Sequence, residues 1–503
     1  MEYALDVQHK KGKLHAIERI NMLLDKGSFQ EFQSGVKNHE NCFGIVSGQF
    51  SYDGVITGYG YINGKKVFLY AQDFTIIGGT LGKQHGEKIA HTIRMAIEHR
   101  CPVIGINDSG GARIQEGVNS LAGYGKIFYY NTLASGYIPQ ISIIAGTCAG
   151  GAAYSPGLSD FIFVIDNVSN MCITGPKVVK SVTGEDISIE RLGGAMMHAG
   201  KSGVAHFRSQ SESECLAKVR ELLDYIPHYY GEKKEDIHKI LKKQVLKFSV
   251  FKNKSKEIAL PKNRKQIYEV REIIGKIIDD NTFFEVQEEF AKNITIGFAK
   301  LGGILVGIVA NNPEFLGVLD CDASVKGARF VRYCDCFDIP IITFVDVPGF
   351  MPGLEQEESG IIRHGAKLLY AYSEATTVKL TVILRKAYGG AYIAMCSKHL
   401  GADFVYAWPE AEIAVMGAEG AVEILYAKET KKMEREEKRK FLQQKVKEYQ
   451  QRVMNVNTAI EYGYVDEILR PEDTRQRLFS DLITLNNKQL IYKINKKHGN
   501  IPM

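Results

Sequence analysis

None of the nine cysteines stands in a C-x-x-C pair or has a histidine at zinc-finger spacing, which leaves no sign of a structural zinc site or a redox dithiol. Reduced, mostly buried thiols in a cytosolic compartment are expected. Charge of one sign is also scarce. The 63 Lys and Arg set against 58 Asp and Glu leave a formal +5 spread along the chain, too mild a surplus to argue for nucleic acid and as well suited to a small anion. The opening residues Met1-Glu2-Tyr3-Ala4-Leu5-Asp6 lack the basic start and apolar core of a secretory leader and the Arg-rich, acid-poor character of a transit peptide. A cytoplasmic location is therefore expected. No charge occurs from Ile127 to Ser159, yet Pro139, Pro156 and five glycines interrupt the run. It reads as a buried strand, a glycine turn and a buried helix, not as a membrane span.

Several catalytic signatures are missing as well. There is no G-x-x-x-x-G-K-[ST] phosphate loop, no G-x-G-x-x-G placed after a strand, no G-x-S-x-G elbow around Ser109 or Ser155, and no H-E-x-x-H pair. His85, His91 and His198 are isolated and read as exposed or structural side chains, not ligands.

What is present is ordinary globular composition, 45% hydrophobic and 24% charged over 503 residues, enough for two to three domains. The sequence is written twice. A helix over Lys88–His99 runs into Cys101-Pro102, an apolar strand Val103–Ile106 and Asp108-Ser109-Gly110-Gly111; Lys326–Phe337, Ile339-Pro340, Ile341–Val345 and Asp346-Val347-Pro348-Gly349 repeat the pattern 238 residues later. A second strand and turn follow in each half, Ile141–Ile144 to Cys148-Ala149-Gly150-Gly151 and Leu380–Leu384 to Tyr388-Gly389-Gly390-Ala391, now offset by 239. Gly110 to Gly150 and Gly349 to Gly389 both span 40 residues. Upstream, Gly58–Tyr70 reads as a hairpin around Asn63-Gly64, with a copy from Ile296 to Val309 around Gly302-Gly303. The Lys-rich segment 231–266 separates the halves as a linker. Domains of 1–245 and 246–503 are expected, each an α/β layer with strands alternating with helices. Lys428–Arg452 reads as a solvated amphipathic helix.

The glycine turns are the candidates for the chemistry. Where a strand ends in glycines and a helix starts, the first helical N–H groups have no intrahelical partner and the missing Cβ atoms let an oxygen approach. Two such donors can stabilise an enolate or tetrahedral oxyanion, and Gly150-Gly151 and Gly390-Ala391 are the candidates. Tight strand-to-helix packing without chemistry is the competing reading. Asp108 and Asp346, at matched strand ends, read either as general bases or as helix caps.

The stretches Gln72-Asp73-Phe74-Thr75, Asn107–Gly117, Ser324–Arg332, Phe344–Phe350 and Arg385–Tyr392 resemble the carboxyltransferase family of propionyl-CoA carboxylase beta chains, transcarboxylase large-core subunits and methylmalonyl-CoA decarboxylase alpha subunits, over nearly the whole chain. The resemblance implies tandem crotonase-like (ClpP/crotonase) domains, each a duplicated strand–helix superhelical core, the first serving acyl-CoA and the second biotin. It implies a homo-oligomer of at least a dimer, and a hexamer by family, whose sites form between the first domain of one subunit and the second of another. Gly150 and Gly151 would hold the thioester oxygen, and Gly390 and Ala391 the ureido oxygen of biotin. Gly110, Gly111, Ala112 and Arg113 would shape the CoA side, with Arg113 either on a phosphate or in a structural pair. Gly349, Phe350, Gly389 and Tyr392 would line the biotin side, and no metal is expected. In the implied scheme carboxybiotin releases CO2, the biotin anion takes the α-proton and the enolate attacks CO2, so no side-chain base is required.

Ile393 stands where propionyl-preferring members of that family have an acidic residue, which leaves the acyl group open between propionyl/methylmalonyl and acetyl/malonyl. No Ala-Met-Lys-Met biotinylation motif occurs, so the resemblance implies biotin arriving on a separate carrier protein, with a biotin carboxylase subunit for carboxylation or a membrane-bound sodium-pumping subunit for decarboxylation. A biotin-independent crotonase-type hydratase or thioesterase is the reading from a different enzyme class.

Overall fold

A computed structural model describes residues 8–10, 12–39, 43–232, 258–261, 263, 266–486, 488 and 496–503. The chain divides into two compact units, Met1–Glu232 and Lys233–Met503. The expected boundary at 245/246 and most of the expected linker lie outside the described residues.

The first unit holds one eight-stranded sheet: β1 (Gln30–Glu31), β2 (Val55–Ile62), β3 (Lys65–Gln72), β4 (Val103–Ser109), β5 (Gln140–Ala149), β6 (Phe161–Ile165), β7 (Asn170–Cys172) and β8 (Phe207–Ser209). The spatial order is β1-β2-β3-β4-β5-β6-β8, with β7 paired to β5. Helix α1 (Ala16–Leu23) precedes it. Between its strands lie α2 (Lys83–His99), α3 (Val118–Ala134) and α4 (Gly151–Leu158), and α5 (Glu212–Tyr225) closes the unit. The second unit repeats the plan with β9 (Phe284–Val286), β10 (Ile294–Leu301), β11 (Ile304–Asn311), β12 (Ile341–Val347), β13 (Lys379–Tyr388), β14 (Phe404–Ala407), β15 (Glu412–Ala414) and β16 (Glu467–Ile468), in the order β9-β10-β11-β12-β13-β14-β16 with β15 paired to β13. Its helices include α6 (Val270–Ile277), α7 (Cys321–Cys336), α8 (Ile361–Glu374) and α9 (Gly389–Ala394). Strand for strand, the two sheets are one topology.

Local chemistry explains the elements. The β2–β3 hairpin turns at Asn63 and Gly64, both with positive φ (49° and 75°), as a tight two-residue turn requires; Gly302 and Gly303 (61° and 83°) do the same between β10 and β11. From β3 to β6 and from β11 to β14 the pairings are parallel. The central strands β4 and β12 are buried at every position, which accounts for their unbroken apolar runs. The uncharged stretch 127–159 resolves into the end of α3, β5 and α4, and no helix among the described residues is long and apolar enough to cross a membrane. The charged segment splits into Ala427–Thr430 and Arg435–Arg452, and the longer helix has no buried residue.

The helices are pinned by matched buried lysines. Lys88 on α2 donates from Nζ to the Val55 carbonyl at 2.6 Å. Lys326 on α7, 238 residues on, donates to the Gln287, Phe290, Ala291 and Ile294 carbonyls at 2.6–3.2 Å. Each ammonium ties its helix to the segment or strand beside it, and burial lowers the affinity of both for their protons.

The most telling feature is a shared irregularity. Between the pairs Asn107–Ile144 and Ser109–Cys148, one residue of β4, Asp108, faces three of β5. Between Val345–Ile383 and Val347–Ala387, Asp346 alone faces three of β13. A bulge of this kind re-aims the strand end, here just before the glycine turns. The space around Asp108 is full: a Cβ at Gly146 would lie 2.0 Å from its Oδ1 and 2.5 Å from Lys13 Nζ, and a Cβ at Gly79 would lie 2.1 Å from its carbonyl oxygen. Gly146→Ala is therefore expected to destabilise the protein by about 1–3 kcal/mol through forced displacement. Gly157→Ala, on the open side of α4 with no neighbouring atom within 4 Å, should stay within about 0.5 kcal/mol of wild type. Parallel thermal melts of the two variants check this, and equal behaviour would refute the crowding around Asp108.

Candidate active site

Both glycine turns sit where the bulged strands end. In the first unit, Gly150 follows β5 with φ 61° and ψ −126°, a conformation that only glycine adopts without strain. Its N–H is committed, donating to the Cys172 carbonyl on β7 at 3.0 Å, and its carbonyl accepts from Ala153 N–H at 3.0 Å. Of the expected pair Gly150 and Gly151, Gly150 thus has a backbone partner for its N–H, and the first two residues of α4 are Gly151 and Ala152. Gly151 is fixed by the ring of Tyr124 on α3, because a Cβ there would stand 3.0 Å from the ring carbons.

The second unit makes the corresponding turn. Gly389 has the same φ of 61°, and a Cβ on it would lie 3.0 Å from the Val415 carbonyl. Gly390 and Ala391 follow it as the second and third residues of α9; Gly390 is exposed and Ala391 fully buried. At the offset of 239, Gly390 and Ala391 correspond to Gly151 and Ala152, which agrees with the hydrogen bonding of Gly150. The aromatic neighbour differs. Phe350 supplies the ring, 3.8 Å from where a Cβ of Gly390 would be and 2.9 Å from one at Gly365.

The other expected residues divide into those beside a turn and those that are not. Gly111 (φ 101°) packs so close to the end of β5 that a Cβ would be 2.8 Å from the Ala149 carbonyl; its N–H donates to Ser109 Oγ, 3.1 Å. Gly110 donates to the Gly78 carbonyl at 3.0 Å, and Ala112 bridges to Leu81. Gly349 and Phe350 repeat this arrangement against Leu319. Arg113 is elsewhere. Its guanidinium is fully buried, with Nη1 at 2.6 Å from both Asp53 and Glu116 and Nη2 at 2.9 Å from the Thr80 carbonyl, so of its two expected roles the structural pair is the one the contacts fit. Tyr392 is buried with its hydroxyl lacking a hydrogen-bond partner among the described residues, and burial pushes that hydroxyl up to about 12. Ile393, one position on, is 37% exposed.

Neither aspartate at the strand ends caps a helix or stands open as a base. Asp108 accepts from Lys13 and from Arg19 Nη1 (3.1 Å). Asp346 accepts from Arg385 Nε at 2.9 Å, Tyr268 OH at 3.0 Å and Lys386 N–H at 3.0 Å. Burial raises the Asp346 carboxyl against the pull of Arg385. The histidines are structural: His85 is wholly buried beside Gln72, with burial holding its pKa well below the usual range, and His198 bonds the Met171 carbonyl and Ser202. Sequence reasoning missed Tyr124 and the cations on the aspartates. Tyr124 carries no signal because its counterpart at the offset of 238 is Ile362.

Comparison with known proteins bears on this architecture. The carboxyl transferase domain matches residues 7–501. The chain is 50% identical over 497 residues to the propionyl-CoA carboxylase carboxyltransferase subunit of Haloferax mediterranei, covering 99% of this chain and 95% of that one. It is 48% identical over 503 residues to the methylmalonyl-CoA decarboxylase alpha subunit of Veillonella parvula, covering 100% and 96%. The solved transcarboxylase 12S, crystallised as a hexamer with methylmalonyl-coenzyme A and methylmalonic acid bound, superposes with a TM-score of 0.89 at 43% identity, covering 100% of this chain and 94% of that one. With a matching domain over almost its full length, two parallel-rich α/β units and a crotonase-like relative of known structure, the chain belongs to the carboxyl transferase family.

Proposed function

We propose that this carboxyl transferase moves CO2 between carboxybiotin on a separate carrier protein and the α-carbon of a short acyl-CoA of the propionyl/methylmalonyl or acetyl/malonyl type. The observation that carries the reading is the pair of matching glycine turns, one in each unit, each opening a helix whose first amides have no partner within that helix. Two anions arise in such a transfer, an enolate on the thioester and a charged ureido oxygen on biotin. Gly151 and Ala152 suit the first, with Gly150 shaping the turn and Gly110, Gly111 and Ala112 beside it; Gly390 and Ala391 suit the second, with Gly349, Phe350, Gly389 and Tyr392 around them. The first unit then serves acyl-CoA and the second biotin.

Backbone donors fixed by strand and ring packing need no reorganisation as charge develops, and removal of one such donor typically costs about 3 kcal/mol of barrier. Bound carboxybiotin supplies the carboxyl group and, once it has lost it, the base for the α-proton. The aspartates at the strand ends, buried and ion-paired, are already committed to holding structure. The protein's part is to place both reactants and polarise both oxygens.

Assembly into a homo-oligomer fits the surface of the first unit, where Ile114 and, along one side of α3, Val118, Leu121, Tyr129 and Leu133 are exposed, more apolar surface than scattered single residues would leave. A decarboxylase alpha subunit working with a sodium-pumping membrane partner is the second reading, favoured by Ile393 in place of an acidic residue and by the similarity to the Veillonella protein.

Purified full-length protein given methylmalonyl-CoA or malonyl-CoA is expected to release CO2 only when free biotin or a biotinylated carrier is added. Absence of biotin-dependent release from either ester would refute the function, and thioester hydrolysis or hydration without biotin would point to the other enzyme class. Ile393→Asp is expected to change the ratio of kcat/KM between propionyl-CoA and acetyl-CoA by about tenfold or more, the scale on which one methylene is discriminated. An unchanged ratio in the carboxylation assay, run with carrier and biotin carboxylase, would remove Ile393 from the acyl pocket.

A further inference from the structure

We propose that Arg385 and Arg19 are positioning residues, each forming with a buried aspartate a clamp that sets where the neighbouring glycine turn presents its amides. This deepens the proposed function and rests on it, since it names what holds the two turns assigned to the two anions.

The bulge gives each clamp its purpose. Where one aspartate faces three residues, the backbone of the longer strand leaves the ladder just before the turn, and its buried polar groups need partners. In the second unit Asp346 supplies one directly: Oδ1 accepts from Lys386 N–H at 3.0 Å, while Oδ2 accepts from Arg385 Nε at 2.9 Å. Arg385 in turn donates from Nη1 to the Gln266 carbonyl at 2.8 Å, and its guanidinium lies 4.9 Å from the Tyr268 ring, whose hydroxyl donates to Asp346 Oδ2 at 3.0 Å. The clamp closes over residues 384–386, and Gly389 follows three residues later.

In the first unit the same task is done by other groups. The residue matching Arg385 is Gly146, which must lack a side chain because the Asp108 carboxylate fills the space. The cation comes instead from α1. Arg19, 1% exposed, donates from Nη1 to Asp108 Oδ2 at 3.1 Å and from Nη2 to the carbonyl of Ala145, a residue of the bulge, at 2.7 Å. Its Nε is anchored by Glu212 on α5 at 2.6 Å, and Lys13 neutralises the remaining charge on Asp108. Both arrangements grip the bulge and the neighbouring strand together. A planar fork does this and a single ammonium does not, because several acceptors in fixed directions must be met at once.

The aspartate also fixes the adjoining loop. Its own N–H donates to Gln72 Oε1 at 3.1 Å in the first unit and to Asn311 Oδ1 at 3.3 Å in the second. A Cβ at Gly79 or at its counterpart Gly317 would meet the aspartate carbonyl at 2.1 or 2.8 Å. Movement of the clamp therefore moves the strand end, the glycine turn and this loop as one.

The test separates positioning from charge compensation. Arg385→Lys keeps the buried positive charge and loses the fork; Tyr268→Phe removes one hydrogen bond and keeps both charges. In full-length protein, Arg385→Lys is expected to retain a cooperative melt yet lose on the order of tenfold or more in kcat for biotin-dependent CO2 release, with KM for methylmalonyl-CoA changed less than about twofold. Tyr268→Phe should lose about threefold in the same direction. Arg19→Lys is expected to shift the KM for methylmalonyl-CoA instead. Hydrogen–deuterium exchange followed by mass spectrometry supplies a readout independent of activity: peptides spanning 386–394 should exchange faster in Arg385→Lys, and those spanning 145–152 faster in Arg19→Lys. Wild-type kinetics and wild-type exchange in Arg385→Lys and Tyr268→Phe would overturn the proposal. If Arg385→Lys does not fold, Tyr268→Phe decides by the same two measures. A wild-type protein that releases no CO2 with biotin would refute the proposed function, and the exchange measurements would still decide the clamp.

Discussion

Everything near the candidate site hangs on a carboxylate that has no business being buried without a partner. Asp108 and Asp346 are 0% and 2% exposed, and an ion that deep is tolerated only when a cation and hydrogen bonds replace the water it has lost. Each stands alone against three residues of the next strand. Its charge, its acceptor oxygens and its own N–H are all spent on holding the strand ends in that offset. Removing either partner of such a pair would leave an uncompensated charge, which is why the aspartate, its arginine and the glycines around them form one unit of constraint.

From that constraint the rest of the site follows. The offset carries β5 and β13 out of register just before they end, and each strand is followed by a glycine of positive φ, Gly150 or Gly389. Gly150 uses its N–H to tie the turn to β7, and in the proposed function the donor role goes to Gly151 and Ala152, the residues that match Gly390 and Ala391 at the offset of 239. Two copies of one device, in two units of one topology, give the chain two matching glycine turns, and the proposed transfer, which makes an anion on each of two substrates, rests on that pair.

Duplication did not keep the two halves alike in detail. The cation lies within β13 in one unit and comes from α1 in the other; the ring beside the glycine comes from the strand-end turn at Phe350 in one and from α3 at Tyr124 in the other. In both cases the space is filled and the charge is met, but by residues at unrelated positions. Packing constrains volume and charge at a point in space and is indifferent to which segment supplies them. Repeat arithmetic therefore finds the strands, the aspartates and the glycines, and cannot find Arg19, Arg385 or Tyr124.

By itself the sequence determined the twofold plan, because hydrophobic period, hairpin turns and strand-end glycines are local properties that two copies repeat at a nearly constant offset. It also determined the family, through long matching stretches, and singled out the glycine turns as candidates for the site. Only the tertiary structure decided which of the turn's amides is already paired, since the partner of Gly150 N–H is Cys172, brought near by the pairing of β7 with β5. Only it decided that Arg113 faces Asp53 and Glu116, and that Asp108 is buried against Lys13 and Arg19 and Asp346 against Arg385. Those are questions of what a side chain meets across the fold, and a charge read from sequence does not say which other charge lies beside it once both are buried.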